Sequence, residues 1–203
     1  TILPKINQRN SDRTAKGLGI NFWNEVKILL EFDEKNINQI NSFDEAVTFY
    51  VNNFSKLDGA IRKLYSEFLS DKAIIAPLQS YYKNLSVLFL DKWFKYIDAY
   101  QSNQTGKIQE ILDSNPGKTA IVVGDGVSLE FSKDIISNIH NKSYKLSSNY
   151  LFAGLPSETE HNMSQLYVAT GEVLPTKKKR ENYLVKTNED KSIDFIDLEN
   201  VNE

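Results

Sequence analysis

The chain has no cysteine, which excludes disulfides and thiolate metal sites and suits a cytoplasmic protein. It has no run approaching the roughly 18 to 20 apolar residues of a membrane span. The first residues, TILPKINQRNSDRTAKGLG, are polar and contain no signal-peptide core. A net charge of −3 brings no basic excess, so general nucleic-acid binding is not indicated. The local run Lys177, Lys178, Lys179, Arg180 reads as a solvated loop rather than a phosphate-contacting patch. Histidine is scarce, with only His140 and His161. What remains is ordinary. At 203 residues, with 40% hydrophobic and 25% charged residues, the chain has room for one large domain or two small ones. It carries no internal repeat and no low-complexity tract.

Two textures meet near Asn115-Pro116-Gly117, which divides the chain into a helical region, 1–115, and a second region, 116–203. Before the junction, apolar residues recur at helical spacing. Leu78, Tyr81, Tyr82, Leu85, Leu88, Phe89, Trp93 and Ile97 step by threes and fours and predict one face of a long helix. Leu57, Ile61, Leu64, Tyr65 and Phe68 do the same, and 43–54 and 21–32 read similarly. Ser42 with Glu45 forms a capping-box signature. Pro77 suits the first turn of the long helix. Residues 20–113 therefore predict a helical bundle or arm whose aromatic stripes are core.

After the junction the pattern changes. The β-branched run 118–123 (KTAIVV) predicts a strand buried on both faces, as in a parallel sheet. Residues 129–140 then predict an amphipathic helix through Phe131, Ile135, Ile136 and Ile139, followed by a second extended segment at 144–152. A short helix should end within 164–171, and 183–186 and 193–196 are weaker strand candidates. Strand, turn, helix, strand is the order of an α/β unit with a right-handed crossover.

Gly124-Asp125-Gly126 lies where the first strand would end, the position at which parallel sheets hold ligands. An Asp-Gly pair there is also an ordinary turn. Leu155-Pro-Ser-Glu-Thr159 follows the second extended segment and precedes a helix. Its hydroxyls could cap that helix, or sit at its N-terminus where free amides and the dipole favour a phosphate. A dinucleotide or P-loop reading fails, because the third glycine and the Walker lysine are both missing.

Taken together, DGVSLEF and AGLPSETEHNM, about thirty residues apart, resemble the PglZ domain, a branch of the alkaline phosphatase superfamily. The resemblance is specific over 118–175, and LDGAIRKLYSEFL upstream is similar in texture to the region before many such domains. It implies the first half of an alkaline-phosphatase-like α/β domain with a mainly parallel sheet. It implies Asp125 as a metal ligand, and Thr159 as both nucleophile and metal ligand. The implied cofactor is zinc or a similar divalent ion, and the implied activity is phosphatase or phosphodiesterase chemistry on a phosphate ester or nucleotide. The family's setting is bacterial anti-phage defence of the BREX type, with other defence proteins as partners and no membrane. A cation beside Thr159 would make its alkoxide accessible at neutral pH.

The ligand inventory is short for such a site. His140 is expected to complement a helix C-terminus, and His161 is the better ligand candidate of the two. Asp190, Asp194 and Asp197 sit in an acidic tail expected to be solvated. The expectation is a partial domain, inactive alone, whose open sheet edge would favour self-association. The alternative is a non-catalytic helical scaffold that binds protein partners in a defence or signalling complex.

Overall fold

The computed structural model describes residues 2–115, 117–124, 126–139 and 145–196. In chain order its helices are α1 (Leu3–Ser11), α2 (Arg13–Gly17), α3 (Trp23–Glu31), α4 (Lys35–Asn38), α5 (Phe43–Phe49), a π turn (Tyr50–Phe54), α6 (Ser55–Glu67) and α7 (Lys72–Lys95). A 3-10 turn (Ile97–Ala99), α8 (Lys107–Ser114), α9 (Leu129–Asn138), α10 (Thr159–Tyr167) and α11 (Lys177–Thr187) follow. The chain divides into two compact units, Thr1–Tyr100 with Val127–Leu146, and Gln101–Gly126 with Ser147–Glu203.

Local chemistry explains the helix starts of the first unit. Ser42 Oγ accepts from the Glu45 amide at 3.2 Å, and Glu45 Oε2 reaches back to the Asn41 amide at 2.8 Å. The first bond satisfies a first-turn amide, and the second ties the residue before the cap to the helix. Asp71 Oδ1 caps α7 by accepting from the Ala73 and Ile74 amides. This places Pro77 inside α7 rather than in its first turn. The site is exposed, so the Ala73 carbonyl that loses its intrahelical donor can turn to water.

The core of this unit is aromatic. Phe54 and Phe89 stack with centroids 4.8 Å apart, and Phe32 meets Phe54 edge-on at 6.0 Å. Ile37, Ile40, Leu57, Ile61 and Leu85 complete the buried cluster. Phe32, Phe54, Leu57, Ile61, Leu85 and Phe89 come from the segments that helical spacing predicts, while Ile37 and Ile40, in and after α4, belong to none of them.

The second unit is smaller and more polar inside. Ile108, Val168, Leu174 and Leu184 are its buried apolar residues. Polar ties supplement them. Asn188 and Gln109 exchange two amide hydrogen bonds at 2.8 and 2.9 Å. Ser164 Oγ accepts from the Leu174 amide at 2.8 Å and also contacts the Glu160 and Leu174 carbonyls. Gly106 begins α8 at φ +69°, a conformation that favours glycine, and faces Ala169 closely.

The expected α/β domain with a parallel sheet is overturned, because no strand occurs among the described residues. Residues 118–123 are irregular and largely exposed, Val122 at 76%. A strand needs a neighbour to satisfy its amides and carbonyls, and the described part of this run has none. The described part of the second segment, 145–152, is irregular too, as is 193–196. Residues 183–186 lie within α11, and the basic run opens that same helix instead of forming a loop. Helix α9 forms where expected, but Phe131, Ile135 and Ile139 are exposed rather than buried. Polar contacts bind α9 to α6 instead: Arg62 with Glu130 and Lys63 with Asp134, while Lys133 donates to the Val51 carbonyl and, at 3.0 Å, to Ser55 Oγ.

Candidate functional site

Of the two residues assigned to a metal, Asp125 lies outside the described residues, as do His140 and Asp197. Thr159 is the first residue of α10. The segment before it is held firmly. Phe152 donates its amide to Asn103 Oδ1 at 2.8 Å, and its carbonyl accepts from the Asn103 amide and from Ser102 Oγ at 3.1 Å each. Two residues on, Gly154 donates to Asn162 Oδ1 at 2.7 Å. A Cβ at Gly154 would come within 2.8 Å of that oxygen and 3.0 Å of Gln165 Oε1, so glycine is what lets the chain approach α10. Leu155-Pro156 is a cis peptide, and the Glu158 amide closes the following turn onto the Pro156 carbonyl at 2.9 Å.

This path delivers Thr159 to the surface. Neither Ser157 nor Thr159 caps α10, because the capping position falls on Glu158, whose side chain makes no capping bond. The amides of Thr159, Glu160 and His161 are thus the unsatisfied donors of a first turn. Thr159 is exposed, and its hydroxyl makes no hydrogen bond with the described residues. A small polar group left free in this way can approach an anion held by the amides and the helix dipole.

Beneath the turn is an amide network. Buried Gln104 donates through Nε2 to Asn162 Oδ1 at 2.6 Å and to Gln165 Oε1 at 2.8 Å. Gln165 Nε2 lies 2.7 Å from His161 Nε2. That nitrogen therefore serves the network. Asp190 and Asp194 are exposed, as expected of a solvated tail. Among the described residues no three His, Asp or Glu side chains group to hold a metal ion.

A second concentration of ionisable groups, in the first unit, was not legible in the sequence. Tyr82 donates its hydroxyl to buried Asp58 at 2.6 Å. Burial pushes the Asp58 carboxyl above its ordinary range. The Tyr82 bond opposes that rise, and the charge of Glu130 adds to it. Burial and the nearby charge of Asp58 raise the Tyr50 phenol to about 12, and burial with the Asp58 hydrogen bond raises Tyr82 further. The only sequence trace is an Asp inside an apolar helix face, between Leu57 and Ile61. Among the described residues no helix is long and apolar enough to cross a membrane. No protein-family model, curated protein or solved structure matches this chain.

Proposed function

We propose that the protein is a divalent-metal-dependent phosphoesterase of the PglZ type, acting in anti-phage defence, with Thr159 as its nucleophile. The reading rests on the Asp-Gly and Pro-Ser-x-Thr segments of the sequence. The observation that supports it is the exposed, unengaged Thr159 hydroxyl at an uncapped helix start. In this reading the first-turn amides of α10 hold the phosphate oxygens and the threonine oxygen lies beside the phosphorus. The network of Gln104, Asn162 and Gln165 holds the turn in place. Zinc, when bound, would stabilise charge on the attacking and leaving oxygens. Asp125 and Thr159 are the ligands assigned to it, and further ligands must come from outside the described residues.

The test is hydrolysis of bis(p-nitrophenyl) phosphate by the gene product, with zinc and with chelator. Turnover that needs metal, is lost in Thr159→Ala and survives in part in Thr159→Ser supports the reading. Undiminished turnover in Thr159→Ala removes Thr159 from the mechanism. The second reading, a non-catalytic scaffold for partner proteins, is favoured by an exposed apolar stripe on α7 formed by Val87, Leu90 and Phe94. Absence of turnover with any metal would shift the weight to it.

A further inference from the structure

The chain leaves the first unit after Tyr100 and returns to it for Val127–Leu146, the segment that carries α9. Little burial holds α9 in that unit. None of its residues is fully buried. Leu129 and Ile136 are half-buried, while Phe131, Ile135 and the following Ile139 are exposed. The buried cluster of the unit and the residues packed on it run from Leu29 to Tyr96 and include nothing from α9.

Polar contacts do most of the holding. Arg62 Nε stands 2.7 Å from Glu130 Oε1, and Lys63 Nζ stands 3.8 Å from Asp134 Oδ2. Arg62, Lys63 and Asp134 are all more than half exposed. Ion pairs with so much solvent around them contribute little and are screened by salt. Lys133 adds its bonds to the Val51 carbonyl and to Ser55 Oγ, which are neutral acceptors.

Docking also has a cost. Both Glu130 carboxylate oxygens are shut off from solvent and accept no hydrogen bond from the described residues. A carboxylate stripped of water without donors in exchange opposes the contact that buries it. Burial, and then the charge of Lys56, hold the Lys133 ammonium below the ordinary lysine range. Release would return both groups to water. Once free, a helix of ten residues is too short to persist alone, so release and loss of helix are one event.

We propose that α9 is a reversible clasp, leaving α6 and unwinding while α3, α5, α6 and α7 stay folded, and that salt shifts the balance toward release. Release unpairs Arg62 from Glu130 and Lys63 from Asp134, so the clasp decides whether these cations of α6 are neutralised. The proposal is independent of Thr159. It is tested by native-state amide hydrogen exchange, followed by NMR on the full chain. The amides of Lys133, Ile136 and Ser137 in α9 should be at least about a hundredfold less protected than those of Ile61 and Leu64 in α6. Raising sodium chloride from about 0.05 to about 0.5 M, which shortens the screening length roughly threefold, should lower α9 protection a further three- to tenfold or so and leave α6 unchanged. Lys133→Met should lower it about tenfold, again in α9 alone, whereas Phe131→Gln on the exposed side should leave it within about threefold. Equal protection of α9 and α6 would overturn the proposal, since α9 would then open only when the whole unit unfolds. Unprotected α9 amides would overturn it too, as a helix that never docks, and so would α9 protection indifferent to salt. A loss in Phe131→Gln matching that in Lys133→Met would show that the apolar side does the holding. The α6 amides reveal any variant that fails to fold, and the salt series on the unaltered chain decides the matter without variants.

Discussion

Replacing Phe89 with alanine should be the most damaging single truncation in the first unit. Phe89 is 5% exposed and sits on the buried face of α7. Its ring is 4.8 Å from Phe54, 5.9 Å from Tyr50, and 6.1 Å from both Phe49 and Trp93. Truncating a buried phenylalanine costs about 3–5 kcal/mol through lost transfer energy and the cavity left behind. Four ring partners place Phe89 at the upper end of that range, because each well-placed pair adds roughly 0.5–1.5 kcal/mol beyond burial. Against a total stability on the order of 5–15 kcal/mol, that is enough to leave the unit marginal. Phe89→Leu keeps most of the apolar volume and loses the ring contacts, so it should cost about 1–2 kcal/mol. Phe94 is the internal control. It lies five residues further along the same helix but is 64% exposed, and Phe94→Ala should stay within about 0.5 kcal/mol. The assay is urea unfolding followed by tryptophan fluorescence. Trp23 and Trp93 are the only tryptophans and both belong to this unit, so the signal reports it alone. If Phe89→Ala costs less than about 1 kcal/mol, or no more than Phe94→Ala, the aromatic cluster is not what holds the unit together.

Two further outcomes follow from the polar groups. Burial raises the Asp58 carboxyl on folding, so the folded state binds a proton more tightly than the unfolded state. Stability from this group is present below the unfolded carboxylate value and is lost as pH rises through the raised folded value. Asp58→Asn can still accept from the Tyr82 hydroxyl. It should flatten that slope in urea midpoints measured from about pH 4 to 7, and an unchanged slope would clear Asp58 of responsibility. In the second unit, Thr159→Ala removes a hydroxyl that bonds to nothing described and should shift the thermal midpoint negligibly. Ser164→Ala strips the Leu174 amide of its acceptor and should cost about 1–3 kcal/mol. Circular dichroism melts compare the two, and equal losses would contradict the geometry at α10.

The helices that sequence reads well carry their own instructions. Of the stripe predicted from Leu78 to Ile97, Leu78, Tyr82, Leu85, Phe89 and Trp93 pack on the core, while Tyr81 and Leu88 are exposed and Ile97 falls beyond α7; Ser42 with Glu45 announces the start of α5. The strands expected from the sequence are absent among the described residues for a physical reason. A β-branched run such as 118–123 favours extended backbone, but the ladder that makes it a strand is built by residues elsewhere. Helix α11 was hidden by its own charges, since three lysines at a positive helix end work against the dipole. The Thr176 cap on the Lys179 amide, the bond from Arg180 to the Leu174 carbonyl and the burial of Leu184 offset them. Helix α1 was missed because Ile6 is its only buried residue, too little periodicity to read. At Thr159 the sequence correctly located a helix start, but the capping role it offered Thr159 or Ser157 falls to neither.

The π turn accounts for the least expected feature, an α9 turned with its polar side inward. In a regular helix the Val51 carbonyl would be occupied by the amide four residues on. Through the wider turn the Ser55 amide instead reaches back five residues to Tyr50. The Val51 carbonyl is left to accept from Ser55 Oγ at 2.9 Å and from Lys133 of α9. A part-buried carbonyl released in this way selects a donor, not a methyl group, from the helix that packs beside it. Glu130 and Asp134 lie on the same face of α9 as Lys133 or one turn away, and they meet Arg62 and Lys63 of α6. Once Lys133 is drawn to the π turn, the apolar residues Phe131 and Ile135 must point elsewhere, and Phe131 is left 56% exposed. The same rotation lays the Glu130 side chain beside Gly59 of α6. The exposed apolar side of α9 and its polar seam with α6 are therefore consequences of one local departure from α-helical bonding.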